Sequence, residues 1–93
     1  MNVIWTPEAE QDRYDIFDYI AMANVVAAIE MDEAFLKSSV MLGDFPMMGH
    51  KGEAPSTLEI FPHPNYRMIY AFRDNTVWIL ALVHTARKWP LDQ

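Results

Sequence analysis

The chain has no cysteine, which excludes disulfides, thiol redox motifs and thiolate metal sites and leaves the compartment open. No stretch approaches the ~18 consecutive apolar residues that a membrane-spanning helix requires. The opening Met1-Asn2-Val3-Ile4-Trp5 carries no basic region ahead of an apolar one, so it does not read as a signal peptide, and a cytoplasmic domain is the default expectation. Bases are few: seven Lys and Arg stand against 13 Asp and Glu, a formal charge of −6. Phosphate contacts need a basic surplus, so direct DNA binding by this chain is not expected. Glycine is rare too. All three glycines fall at positions 43, 49 and 52, alongside Pro46 and Pro55, which marks one real loop over residues 43–56.

What is present is enough for a core. Of the 93 residues, 52% are apolar and 22% charged, a balance that excludes disorder and fits one small domain spanning residues 1–93. The charge is uneven. Residues 1–46 hold nine acids and two bases, a net of −7, whereas residues 47–93 hold four acids and five bases, a net of +1. An anionic partner would have to meet the second half.

The hydrophobic period divides the chain in the same place. Residues 2–5 are short, β-branched and aromatic, and read as a strand. Thr6 followed by Pro7 is a helix start, with Thr as N-cap and Pro at the first helical position. Glu8 and Glu10 in the first turn suit the helix dipole. Ala9, Ile16, Phe17 and Ile20 form one stripe, with Asp12, Asp15 and Asp18 mostly off it. Asn24 reads as the cap of a second helix over about residues 25–42, carrying Ala28, Met31, Phe35 and Leu42 inward and stopped by Gly43. Two helices with almost no linker predict an antiparallel hairpin. Beyond the loop the period becomes two, and residues 57–61, 66–72 and 76–83 read as strands. In the middle one, Tyr66, Met68, Tyr70 and Phe72 are assigned to the helix-covered face, which leaves Arg67 on the open face. The expected fold class is α+β: strand, helix, helix and three strands (β-α-α-β-β-β), the helical hairpin packed on a curved antiparallel sheet.

Candidate functional groups concentrate after the last strand, in Val83-His84-Thr85-Ala86-Arg87-Lys88-Trp89-Pro90. Strand ends often carry function. Arg67 and Arg87 sharing the open face would suit a phosphate or carboxylate. The competing reading pairs them with nearby acids such as Glu59. His50, His63 and His84 lack metal-ligand spacing, and Glu8, Asp12 and Asp15 read as a solvated helix face, so no metal and no cofactor is expected. His84 is a candidate general acid or base, and a loop histidine donating to a backbone carbonyl is the alternative. Met47-Met48 reads as an adaptable contact surface.

Several segments together resemble toxins of the RelE/ParE superfamily: Val3-Ile4-Trp5-Thr6-Pro7-Glu8-Ala9, Asp44-Phe45-Pro46-Met47-Met48-Gly49, Glu59-Ile60 with His63-Pro64-Asn65-Tyr66-Arg67-Met68-Ile69-Tyr70, and residues 83–90. They cover nearly the whole chain in order. The resemblance implies the toxin of a type II toxin–antitoxin module, of the kind associated with plasmid stabilization and growth arrest, neutralised by a cognate antitoxin that lays a helix and an extended segment over the helical hairpin and the sheet edge. Two activities divide the superfamily. RelE-like members cleave mRNA on the ribosome, for which Arg67, His84 and Arg87 would be the catalytic set, using basic groups to stabilise charge at the phosphate. ParE-like members inhibit DNA gyrase without a nuclease. The lysines of the RelE-like strand are replaced here around Glu59, and the chain stops at Gln93 without the extension bearing that branch's tyrosine. The His-x-Ala-Arg-x-aromatic-Pro ending resembles the ParE-like branch. On that reading the chain has no catalytic residue, and Arg67, His84, Arg87, Lys88 and Trp89 form the target- or antitoxin-contacting surface. A non-toxic relative that only binds antitoxin is the further alternative.

Overall fold

The computed structural model describes residues 1–90; positions 91–93 of the expected domain lie outside the described residues. The chain runs β1 (Asn2–Trp5), α1 (Pro7–Ala21), α2 (Val25–Asp44), β2 (His50–Lys51), β3 (Leu58–His63), β4 (Tyr66–Arg73) and β5 (Thr76–His84). The α+β class and the order of elements are those read from the sequence. The sheet has one strand more than expected, in the order β1-β5-β4-β3-β2. Strands β3, β4 and β5 form an antiparallel meander, and β1 joins β5 in parallel, so the sheet is mixed.

Local chemistry accounts for the boundaries. Thr6 Oγ1 accepts the Ala9 N–H at 3.2 Å, as an N-cap should, and also donates to the Ile79 carbonyl at 2.9 Å, which ties the start of α1 to β5. Asn24 Oδ1 accepts the Ala27 N–H at 3.0 Å at the start of α2. The β4–β5 turn is Asp74-Asn75, both with positive φ (52° and 57°), the handedness a two-residue hairpin needs. Gly43, expected to stop α2, lies inside it; the helix ends at Asp44 and is capped by Phe45. No glycine has positive φ. Gly43 instead lets the helix approach β1, since a Cβ there would stand 3.2 Å from Val3 Cγ2. The loop also holds β2, which pairs His50 with Glu59 and Lys51 with Leu58.

The main core lies between the helical hairpin and the sheet, built on Ala9, Phe35, Leu42, Met68, Tyr70, Val77, Ile79 and Leu82, with Tyr66 and Phe72 packed against it. The alternation in β4 therefore points as expected. The two helices are also stapled by an ion pair the sequence did not announce. Arg13 Nε and Nη2 donate to the two carboxylate oxygens of Asp32 at 2.7 and 3.2 Å, and the Arg13 guanidinium lies 5.6 Å from the Trp5 ring. The far face of the sheet is not open. A second cluster of Ile69, Ala81 and Val83 is covered by Leu80 and Trp89, because the chain turns back over the sheet after β5. No helix among the described residues is long and apolar enough to cross a membrane.

Candidate functional site

Strand β5 outruns β1. Pairing with β1 ends at Trp5 opposite Ile79, and β5 then bulges at Leu80, which has no partner between Ile69 and Tyr70 of β4. Past that point α1 crosses over the strand, leaving an open groove of about 870 Å³. It is lined by Ile16, Tyr19, Tyr66, Leu82, Trp89 and Pro90, together with Glu8, Asp12 and Asp15 of α1 and His84 and Arg87 at and beyond the end of β5. The site is thus lined both by acids of α1 and by the turn after β5 that carries His84 and Arg87.

That turn is held by three sets of bonds. His84 Nδ1 accepts the Ala86 N–H at 3.1 Å, which contradicts the donation to a backbone carbonyl expected of a loop histidine. The Arg87 N–H donates to the His84 carbonyl, and the Thr85 N–H to the Asn65 carbonyl, both at 2.9 Å. The third hold comes from Arg67. Its side chain does not lie on an open face, as the sequence suggested, but is 6% exposed. Nη1 donates to both carboxylate oxygens of Glu59 at 3.2 Å, and Nη2 donates to the Arg87 carbonyl. Arg67 and Arg87 do meet, but guanidinium to backbone; the Arg87 side chain projects outward and is exposed. The pairing of Arg67 with Glu59 is the competing reading set out above. Arg67 Nε is buried without a hydrogen-bond partner. Beside this pair, His50 Nε2 stands 3.8 Å from Glu59 Oε1, with its ring stacked on Phe61.

Of the five residues expected to form one contact surface, the structure brings His84, Arg87 and Lys88 together on the exposed turn, half-buries Trp89 in the second cluster and places Arg67 beneath them. The bases do not all gather there. Arg73 sits beside the Asp74-Asn75 turn at the other end of the hairpin, and Lys51 is on β2. Tyr66 links the site to the core: its ring meets Phe35 edge-on at 5.7 Å and His84 edge-on at 5.5 Å. Burial holds its phenol above the usual value of 10.0, so it is neutral at physiological pH.

Asp12 is a groove residue whose structural role the sequence disguised. It reads as one of a run of solvated acids, yet its Oδ2 accepts the Leu82 N–H at 3.1 Å, satisfying a strand edge that β1 is too short to cover. Burial, the largest influence, raises its pKa above the ordinary 3.8, while the Leu82 bond opposes that and the neighbouring Asp15 and Glu8 add to it. A carboxyl raised on folding binds its proton more tightly in the folded state. Stability therefore falls as pH rises from about the ordinary value through the raised one. Asp12→Asn keeps an acceptor for Leu82 without the charge. It is expected to be more stable than the native chain at pH 7 and to lose the advantage toward pH 3.5, as read from urea midpoints at the two pH values. An unchanged midpoint at pH 7 would show that the carboxylate carries no such penalty.

The fold is similar to that of a solved structure from P. aeruginosa described as a chromosomal ParDE TA system, with a TM-score of 0.79 at 17% identity, over 90% of this chain and 95% of that one. Curated protein sequences yield no match. The family model described as "ParE toxin of type II toxin-antitoxin system, parDE" matches residues 3–89, and the chain belongs to that family.

Proposed function

We propose that this chain is the toxin of a type II toxin–antitoxin module that acts in the cytoplasm on DNA gyrase and is neutralised by a cognate antitoxin. Membership of the ParE toxin family supports the module and the partner. The observation that carries the choice of activity is the state of Arg67. An endoribonuclease of the alternative branch needs guanidinium groups free to meet a phosphate as charge builds on it. Here Arg67 is buried against Glu59 and spends Nη2 on the Arg87 carbonyl. A carboxylate beside it would repel a phosphate. Arg67 thus shapes the contact surface from below, and the exposed His84, Arg87 and Lys88 make the contact. No residue acts as a catalyst, and no metal or cofactor takes part.

Expression without antitoxin is expected to arrest growth, induce the DNA-damage response and relax plasmid supercoils. Purified protein should inhibit supercoiling by gyrase in vitro. Arg87→Ala should raise the concentration needed for inhibition by roughly ten- to a hundredfold, the effect of losing a charge-assisted hydrogen bond at an interface. Arg73→Ala, distant from the turn, should leave it unchanged. Cleaved messages with intact supercoiling would replace gyrase by the ribosome as target. Unaltered growth would leave only antitoxin binding.

A further inference from the structure

Two of the three histidines make the same kind of bond. His63 Nδ1 accepts the Asn65 N–H at 3.1 Å, and His84 Nδ1 accepts the Ala86 N–H at 3.1 Å. Each ring thus closes a turn onto the second residue after it, the bond that an Asx turn makes with a side-chain oxygen. The two turns are neighbours. His63 stands opposite Tyr66, and Tyr66 opposite His84, a row across β3, β4 and β5 at one end of the sheet. The Tyr66 ring is their common neighbour, its centroid 6.5 Å from that of His63 and 5.5 Å from that of His84. The Thr85 N–H donates to the Asn65 carbonyl at 2.9 Å, which joins the turns through their backbones.

An N–H···N bond fixes the chemistry of the ring that accepts it. In a neutral imidazole one nitrogen accepts and the other carries the proton; in the imidazolium both are donors. With Nδ1 accepting, Nε2 bears the proton in both rings, and neither ring is charged. A second proton would go to Nδ1 and set donor against donor, so each bond exists only while its ring is neutral. Histidine is the side chain that ordinarily gains its charge in mildly acidic solution. The surroundings of the two rings differ. His84 shares the groove with Glu8, Asp12, Asp15 and Tyr19 of α1, with Tyr66 of β4 and with Arg87 of its own turn; Lys88 follows in the same segment. The carboxylates offer acceptors to a ring that has let go of Ala86, while the two bases oppose its charge. His63 is half-buried and faces the neutral Tyr66.

We propose that His63 and His84 form a paired, acid-sensitive latch on the turn of residues 84–90: as neutral rings they close both turns, and on protonation they release them. His63 is then a positioning residue for a segment to which it does not belong, acting through Asn65 and Thr85. The latch is independent of what the surface contacts. Its test reads the bonds themselves, so it stands or fails apart from any assay of gyrase or of growth.

NMR spectroscopy of the full chain labelled with nitrogen-15 supplies the test. At about pH 8, correlation of ring protons with ring nitrogens should show a bare Nδ1 and a protonated Nε2 in both residues. A nitrogen–nitrogen coupling should cross from each Nδ1 to the amide nitrogen of Asn65 or Ala86. Both couplings should be lost by about pH 5, with the Asn65 and Ala86 amide protons moving upfield in step with the ring signals. His63→Asn and His84→Asn each put an amide oxygen in place of the ring, an acceptor for the same N–H that does not titrate. In His63→Asn the Asn65 amide should lose its pH response while Ala86 keeps its own, and His84→Asn should do the reverse. His63→Ala, which leaves no acceptor, should shift the Thr85, Ala86 and Arg87 amides at neutral pH, and His63→Asn should restore them. A protonated Nδ1 in either ring at about pH 8 would overturn the latch. So would Asn65 and Ala86 amides that ignore the titration of their rings, a pH response that survives in the Asn variants, or a segment from Thr85 to Arg87 unmoved in His63→Ala.

Discussion

Glu59→Ala is expected to lower the free energy of unfolding by about 3–5 kcal/mol, the usual cost of removing one partner from a buried ion pair. Both side chains are nearly sealed from solvent, at 6% for Glu59 and 8% for Arg67. Taking away the carboxylate strands a guanidinium that already has one unsatisfied nitrogen, Nε, and whose remaining hydrogen bond is to the Arg87 carbonyl. The loss comes from the orphaned charge and not from the attraction of the pair. A double variant, Glu59→Leu with Arg67→Met, should therefore recover most of the stability in urea unfolding. It should not recover full inhibition of gyrase, because the Arg87 carbonyl would lose its Arg67 donor and the exposed turn of residues 84–90 would lose one of the three sets of bonds that hold it. Full inhibition by the double variant would show that the turn is positioned without Arg67. A loss below about 1 kcal/mol in Glu59→Ala would show that the pair is wetter than its burial implies.

The same pair shows where reading the sequence stops. Thr6-Pro7 and Asn24 could be placed as helix starts because capping is decided by a few adjacent residues, and both caps form. The alternation in β4 could be assigned to faces because a strand has period two, and Met68 and Tyr70 are in the core. The same period puts Arg67 on the face of β4 away from the helices, where it lies, but does not reveal that this face is covered. Its burial depends on Trp89 and the turn after β5 folding back over the sheet, a long-range event with no local signature. Asp12 was hidden for the same reason: its role exists only because β1 ends opposite Ile79 and leaves the Leu82 N–H uncovered. A glycine that ends a helix and a glycine that lets a helix touch a strand look alike in sequence, and at Gly43 only the approach of Val3 separates them. The two-residue β2 is too short for any periodicity to reveal. For the contact surface, the His84-to-Pro90 segment was visible as a motif, while the groove it borders was not, being made by α1 and β5 from opposite ends of the chain.

Phe35→Ala should be the most damaging single change in the apolar core, at about 3–5 kcal/mol, which corresponds to a fall in melting temperature on the order of 20 °C for a domain of this size. Phe35 is 1% exposed on the inward face of α2, in the cluster with Ala9, Leu42, Met68 and Tyr70. Part of the cost is transfer of the ring to water; the rest is the cavity, which the rigid β4 beneath it cannot collapse to fill. The consequence reaches the surface. Phe35 supports the edge of the Tyr66 ring, and Tyr66 in turn meets His84, with interplanar angles of 85° and 78°. Edge-on pairs of this kind contribute roughly 0.5–1.5 kcal/mol beyond burial and depend on geometry. Phe35→Leu fills most of the volume and should cost only about 1–1.5 kcal/mol, yet it removes the face on which Tyr66 rests. In that variant the His84 ring protons are expected to broaden or shift in NMR spectra while the melting curve moves little. A core that tolerated Phe35→Ala with an unchanged melting temperature would mean that α2 does not pack on β4 through this residue. An unaltered His84 spectrum in Phe35→Leu would mean that the contact surface is ordered by its own backbone bonds, those of Ala86, Arg87 and Thr85, and not from the core through Tyr66.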